Sequence, residues 1–182
     1  MRDKDRELER VLSTHAAALS RLAASYESRP ALREELLQDI AFALWRALPS
    51  FRHESSEKTF VMRVATNRAL SHIAARKGDV LKGTHPFSSE LKGCAPFETD
   101  PFVQAVDPGP RPEEEVASMQ GAARLQGAVR GLPLAQRQVM VLALEGLDHD
   151  EIAGVLGISE GNVAVRLHRG KALLKAALGE SP

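Results

Sequence analysis

Apolar residues recur every three or four positions along most of this chain, the period of an amphipathic helix. Near the start, Leu8, Val11, Leu12, His15, Leu19 and Leu22 fall on one face. The step Arg29-Pro30 punctuates the chain. Proline suits the first turn of a helix, and a second stripe follows: Leu36, Leu37, Ile40, Ala41, Leu44, Trp45 and Leu48, stopped by Pro49. This pattern assigns Trp45 to the core rather than to an interface. A polar loop from Phe51 to Lys58 leads into a third helix, from about Ser56 to Arg76, with Phe60, Val61, Val64, Ala65, Leu70 and Ile73 inward.

The pattern then breaks. Between residues 78 and 118 lie six of the ten prolines, enough to rule out a long helix there. The stretch predicts an extended or irregular linker that docks through Phe87, Leu91, Phe97, Phe102 and Val103. About four helices are expected afterwards. The first begins at Glu113-Glu114-Glu115, since acidic residues favour a helix N-terminus. The next begins at Leu132-Pro133 and carries Val139, Met140, Leu142 and Ala143. The expected fold class is all-α: two small helical domains, 1–77 and 119–182, joined by a long irregular linker over 78–118.

The sharpest local signal runs from Leu147 to Val163. Asp148 and Glu151 stand three apart, the spacing of a capping box. Ile152, Val155 and Leu156 point inward, and Gly157 can take the left-handed conformation of a helix C-cap. Ile158 fills the gap between helices, and Ser159 caps the next one. Two short helices joined by a glycine-containing turn are a helix-turn-helix. On the second helix Val163, Leu167, Gly170 and Leu174 form the core face. Asn162, Val165, Arg166 and Arg169 project elsewhere, about 120° away at 3.6 residues per turn. Arg pairs bidentately with guanine and Asn with adenine, so this face suits the major groove. Lys171 and Lys175 are candidate phosphate contacts. The simpler reading is a solvated helix face, which accounts for single arginines but not for caps, turn and basic face together.

Charge refines the picture. The net charge is zero, but residues 1–77 carry +4, residues 78–118 carry −5 and residues 119–182 carry +1. An acidic strip therefore separates two less acidic ends. The single cysteine, Cys94, excludes a disulfide framework and a cysteine-based zinc site. No apolar run approaches the ~20 residues of a membrane span, and Met1 to Arg10 are not followed by a signal-peptide core. Cytoplasmic residence without membrane insertion is the expectation. The six histidines are scattered, no serine sits in a nucleophile elbow and no glycine loop suits a phosphate. The chain is thus expected to be no enzyme and to need neither metal nor cofactor.

Two blocks carry a resemblance. Gly131 to Val139 and Glu145 to Arg169, with Arg166-Leu167-His168-Arg169 especially, resemble region four of bacterial sigma factors. Glu35 to Arg46 and Phe51 to Leu70 are similar to region two. Order and spacing match the sigma-70 family, in its extracytoplasmic-function (ECF) type, which keeps only these two regions. The resemblance implies a factor that binds core RNA polymerase, recognises minus-35 and minus-10 promoter elements and helps to open the promoter. It implies that Ser159, Asn162, Val165, Arg166, Arg169 and Lys171 serve the minus-35 element. It assigns Arg52, His53, Glu54, Ser55, Ser56, Lys58, Arg63, Asn67, Arg68, His72 and Arg76 to minus-10 recognition and melting. Glu35, Leu36, Gln38, Asp39 and Phe42 would meet the polymerase β′ clamp helices, and the C-terminal module the β flap. An anti-sigma factor is a further implied partner, one that would hold the chain near the membrane. The acidic linker would occupy the polymerase's nucleic-acid channel until RNA displaces it; the plainer alternative is a linker kept soluble by its charge.

The chain departs from the family just after Val163, where a basic residue and a serine are usual and Ala164 and Val165 stand. Val165 can touch a thymine methyl. Two other readings follow from the residues: a stand-alone helix-turn-helix regulator, and a degenerate sigma-like protein that binds polymerase without reading promoters.

Overall fold

The computed structural model describes residues 2–76 and 112–179. The 78–111 part of the predicted linker, with its five apolar anchors and Cys94, lies outside them. The described residues form seven α-helices and no strand. These are α1 (Arg2–Tyr26), α2 (Pro30–Ala47), α3 (Glu57–Arg76), α4 (Pro112–Gly131), α5 (Leu134–Leu144), α6 (His149–Leu156) and α7 (Glu160–Leu178). A 3-10 turn, Leu48–Ser50, closes α2 around Pro49. Helix α4 starts at Pro112, so a division at 118/119 falls inside a helix.

In the N-terminal module, α1, α2 and α3 pack on one another. Leu19, Leu22, Leu36, Ile40, Leu44 and Met62 are fully buried between them. Helix α3 departs from a single stripe. Phe60, Val61 and Met62 are all buried in succession, whereas Val64, Leu70 and Ile73 are only partly so. The reason is that three helices, α1, α2 and α6, all pack against α3. An amphipathic pattern cannot reveal neighbours on several faces.

Trp45 corrects the expectation of a core tryptophan. It is 38% exposed. The buried stripe of α2 runs through Leu36, Ile40, Ala43, Leu44 and Ala47, which leaves Trp45 one step outside it. There it stacks on Phe42, ring centroids 6.0 Å apart, and its indole N–H donates to Asp5 at 3.4 Å.

The C-terminal module is built on α5 and the helix-turn-helix α6–α7. Asp148 accepts from the Glu151 backbone N–H at 2.8 Å, and Glu151 accepts from the Asp148 N–H at 3.2 Å, closing the capping box. Gly157 adopts φ 65°, ψ 38°, and the Ile158 N–H reaches back to the Ala153 carbonyl. That left-handed turn is costly for any residue bearing a Cβ. Ser159 then accepts from the Asn162 N–H, starting α7. Helix α7 crosses α5 closely at Gly170, where a Cβ would come 2.9 Å from the Met140 methyl.

The two modules do not stand apart. One apolar cluster includes residues of both, and α4 and α5 pack against α1 while α6 packs against α3.

Ile152 is fully buried under α6. Ile152→Ala should lower stability by about 2–5 kcal/mol and Ile152→Val by about 0.5–1.5 kcal/mol. Urea denaturation followed by circular dichroism checks the order; equal losses would contradict this packing.

Candidate nucleic-acid interface

The caps just described orient α7 so that Val163, Leu167, Gly170 and Leu174 face the core. The opposite side of the helix is free. Asn162 and Arg169 are exposed, Val165 is 49% exposed, and Arg166 is partly buried against its own helix. The Arg166 Nε donates to Asn162 Oδ1 at 2.9 Å, one turn back. That bond limits the rotamers open to the guanidinium and presents its terminal nitrogens outward. Ser159 sits at the cap. Ala164 faces solvent on the flank with Lys171 and Lys175, away from the Asn162–Arg169 side. At about 100° per residue Lys171 lies nearly opposite the middle of that side. The expected minus-35 set therefore divides into one compact face and one outlying lysine.

The polar loop before α3 is shaped by aromatic rings. Phe51 packs between His53, 4.4 Å away, and Phe60, 4.6 Å away. His53 takes φ 58°, unusual for a residue with a Cβ. The Arg63 guanidinium lies 5.9 Å from the Phe60 ring centroid, within cation–π range. Ser50, Phe51, Arg52, Glu54, Ser55, Phe60 and Arg63 enclose a mainly polar cavity of about 80 Å³. Arg52, His53, Glu54 and Ser55 are exposed around it, and Asn67 lies one turn beyond Arg63. The rings behind the loop are what residue spacing missed. Phe60 reads as an ordinary core position and Phe51 as the first residue of a polar loop until the loop folds back over them.

Other residues of the expected minus-10 set point elsewhere. His72 is a correction: its side chain is 9% exposed, with Nε2 3.6 Å from the buried Glu27 carboxylate. It packs against the α1–α2 turn, and this burial closes it to a strand. The Arg68 guanidinium donates to Asp39 at 2.5 Å, tying α3 to α2. Arg76 ends α3, and its side chain lies outside the described ones. Ser56 caps α3 by accepting from the Thr59 N–H at 3.0 Å. Lys58 turns away from the cavity and donates to the Glu145 backbone carbonyl.

On α2, Glu35 and Gln38 are exposed and Asp39 is shared with Arg68. Leu36 is the second correction: it is fully buried in the module core and cannot meet a partner. Phe42, half-buried under Trp45, gives this face an aromatic pair instead.

Against this geometry the comparisons with known proteins are decisive. The family model described as Sigma-70 region 2 matches residues 11–78, and that described as Sigma-70 region 4 matches residues 122–174. The chain belongs to the sigma-70 family, as an ECF-type sigma factor. The sigma factor CnrH of Cupriavidus metallidurans is 27% identical over 169 residues, covering 92% of this chain and 84% of that protein. The ECF sigma factor SigW of Bacillus subtilis is 28% identical over 146 residues, 80% of this chain and 74% of that one. Two solved structures share the fold. CnrH in complex with the cytosolic domain of CnrY gives a TM-score of 0.63 at 22% identity, covering 97% of this chain and 91% of that one. The sigma factor RpoE in complex with the anti-sigma factor NepR, from Bartonella quintana, gives 0.65 at 20% identity, with both chains fully covered. No helix among the described residues is long and apolar enough to cross a membrane, and none of their His, Cys, Asp and Glu residues cluster as a metal site.

The capping carboxylate of this sigma factor's helix-turn-helix also reaches across to region two. Glu151 accepts from Thr59 Oγ1 at 2.5 Å and from Ser56 Oγ at 3.1 Å. The Thr59 hydroxyl, then the Asp148 N–H, hold the Glu151 carboxyl below its ordinary pKa. A lowered pKa stabilises the fold above the unfolded value, near 4.3, and that stability is lost as pH falls through the folded value. Acid titration of wild type and Glu151→Gln should therefore show the variant's stability falling less steeply below about pH 4.5. Parallel curves would remove Glu151 from this role.

Proposed function

We propose that this sigma factor carries core RNA polymerase to promoters by reading duplex DNA with α7 and a melted strand with the loop before α3. The observation that carries the reading is the pairing of two exposed polar faces with two sigma regions in the family's order. On α7, Asn162, Val165, Arg166 and Arg169 enter the major groove at the minus-35 element. Arg166, buttressed by Asn162, is the principal base reader, and Val165 offers a methyl contact where the family usually has a polar one. Lys171 meets phosphate only if the backbone wraps to the far flank of the helix.

The loop cavity receives an unstacked minus-10 base. Chemistry on or capture of a base requires it to leave the stack, and stacking on a side chain offsets part of that cost. Phe51 and Phe60 supply the rigid wall, Arg63 the positive charge, and Arg52, His53, Glu54, Ser55 and Asn67 the polar edge. On α2, Glu35, Gln38 and the Phe42–Trp45 pair form the surface for the polymerase β′ clamp helices, with Asp39 alongside. Region four contacts the β flap. An anti-sigma partner is supported by the solved complex of RpoE with the anti-sigma factor NepR.

Run-off transcription with purified core enzyme on genomic fragments tests this directly. Promoter-dependent transcripts are expected, and no transcript together with no core binding would sink it. Arg166→Ala should cost about 1–3 kcal/mol and relax specificity at one position, as loss of a base contact does. Arg63→Ala should leave duplex minus-35 binding unchanged and slow promoter opening, read by permanganate footprinting. A second reading, a sigma-like protein that binds polymerase but not promoters, is favoured only by Ala164 and Val165. Core binding with no sequence preference on any fragment would select it.

A further inference from the structure

At the seam between the modules, where α1 meets α4 and α5, three polar side chains keep unused hydrogen-bond donors. Arg137 closes the first turn of α5. Its side chain leans toward the start of its own helix, as helical side chains do, and one terminal nitrogen donates to the Leu132 carbonyl at 2.9 Å. Its Nε is buried and has no hydrogen-bond partner. Arg130, at the end of α4, donates from Nε to the Ala24 carbonyl at 3.0 Å, and its terminal nitrogens bond no other described residue. Tyr26 ends α1. It is 7% exposed, and its hydroxyl donates to no described residue.

These three groups are neighbours. Burial lowers the Arg137 pKa and the like charge of Arg130 lowers it further, while among the described residues only Tyr26 opposes the shift. Burial raises the Tyr26 phenol, and Arg137 is the charge that acts on it. A guanidinium stays protonated in a protein, so two like charges sit partly buried with no carboxylate acting on Arg137. Glu27, next to Tyr26 in the chain, is engaged elsewhere: its carboxylate accepts from the Arg29 N–H at 2.9 Å and lies 3.6 Å from His72. Helix α5 adds a field of the same sign. It starts on Pro133 without a side-chain cap, so the positive end of its dipole is uncompensated there. Capping the α1 C-terminus accounts for Arg130, but not for the orphaned Arg137 Nε or the Tyr26 hydroxyl.

We propose that Tyr26, Arg130 and Arg137 form a binding site for a terminal phosphate group, carried by a small phosphate monoester or present as inorganic phosphate. Arg137 supplies its Nε–H, Arg130 its terminal nitrogens and Tyr26 its hydroxyl. Hydrogen bonds from guanidinium to phosphate are charge-assisted and strong. Three donor groups from three helices match three unesterified oxygens. A carboxylate has only two, and so does a phosphodiester in a nucleic-acid backbone. None of the three residues lies on the α7 face, in the loop before α3 or on the Glu35–Trp45 surface, so the site is separate from the promoter and polymerase surfaces proposed above.

Isothermal titration calorimetry on the full chain, at constant ionic strength, tests this with inorganic phosphate, adenosine 5′-monophosphate and acetate as probes. One phosphate-bearing probe should bind per chain, with acetate at least about tenfold weaker, the cost of losing one such hydrogen bond. Tighter binding of the monoester assigns the ligand as an ester, and tighter binding of inorganic phosphate as the free ion. Arg137→Lys keeps the charge and removes the Nε donor; Tyr26→Phe removes only the hydroxyl. Each should weaken binding by about 10–100-fold, the range for a hydrogen bond to a charged group. Lys4→Gln, at the other end of α1, should leave it unaltered. Circular dichroism melts check that each variant is folded, and phosphate should raise the Tm of wild type more than that of Arg137→Lys. No binding and no rise in Tm with either phosphate probe would overturn the site. Wild-type affinity in both Arg137→Lys and Tyr26→Phe would overturn it as well, and acetate binding as tightly as phosphate would overturn the assignment of the ligand.

Discussion

A helix that ends inside a protein leaves its last carbonyls without partners in its own backbone. Helix α1 ends at Tyr26 with no basic residue in its last turn. The Ala23 carbonyl accepts from the Glu27 N–H at 2.8 Å and the Arg21 carbonyl from Ser25 Oγ at 2.9 Å, and further partners come from more than a hundred residues away. Arg130 of α4 donates to the Ala24 carbonyl at 3.0 Å, and Gln126 to the Arg21 carbonyl at 3.3 Å. The Arg21 side chain answers by engaging Glu145. Helix α4 serves the other module in the same way, since Arg124 donates to the Leu178 carbonyl near the end of α7. Satisfying these helix ends fixes where α4 lies. That in turn sets α5 against α1 and α6 against the start of α3.

The arrangement places two kinds of surface under different constraints. The α7 face has no packing duty. Its side chains follow from the helix phase alone, and they stay exposed in the closed chain. The region-two loop is not independent in this way. Its cavity side, with Arg52, His53 and Arg63, faces solvent, while Ser56 and Lys58 are held by the C-terminal module. A cavity of about 250 Å³ remains beside the seam, lined by Leu125, Val129, Val141 and Leu144 together with Arg21 and Glu145.

Much of this protein could be read from its sequence because short-range physics governs it. The capping box at Asp148 and Glu151, the left-handed Gly157 and the Ser159 cap depend on residues within a single turn of chain. The exposed face of α7 follows from phase once its cap is known. Pro30 and Pro49 bound α2 for the same local reason. These elements suffice to assign the all-α class and the helix-turn-helix; the family came from the resemblance of two longer blocks of sequence.

What only the tertiary structure decided depends on contacts between residues far apart in sequence. Nothing near Arg21 announces Glu145, and nothing near Thr59 announces Glu151. Periodicity set both Leu36 and Trp45 inward, and only the family resemblance gave Leu36 to a partner; Leu36 is buried and Trp45 exposed because burial on α2 depends on where α1 and α3 lie. His72 reads as one more basic residue on a helix face until Glu27, from the distant α1–α2 turn, is found against it. The sequence determined which helices form and which face of α7 is polar, since those depend on neighbours three or four residues away. The closing of one region on the other was decided by helix ends and side chains that meet only after folding.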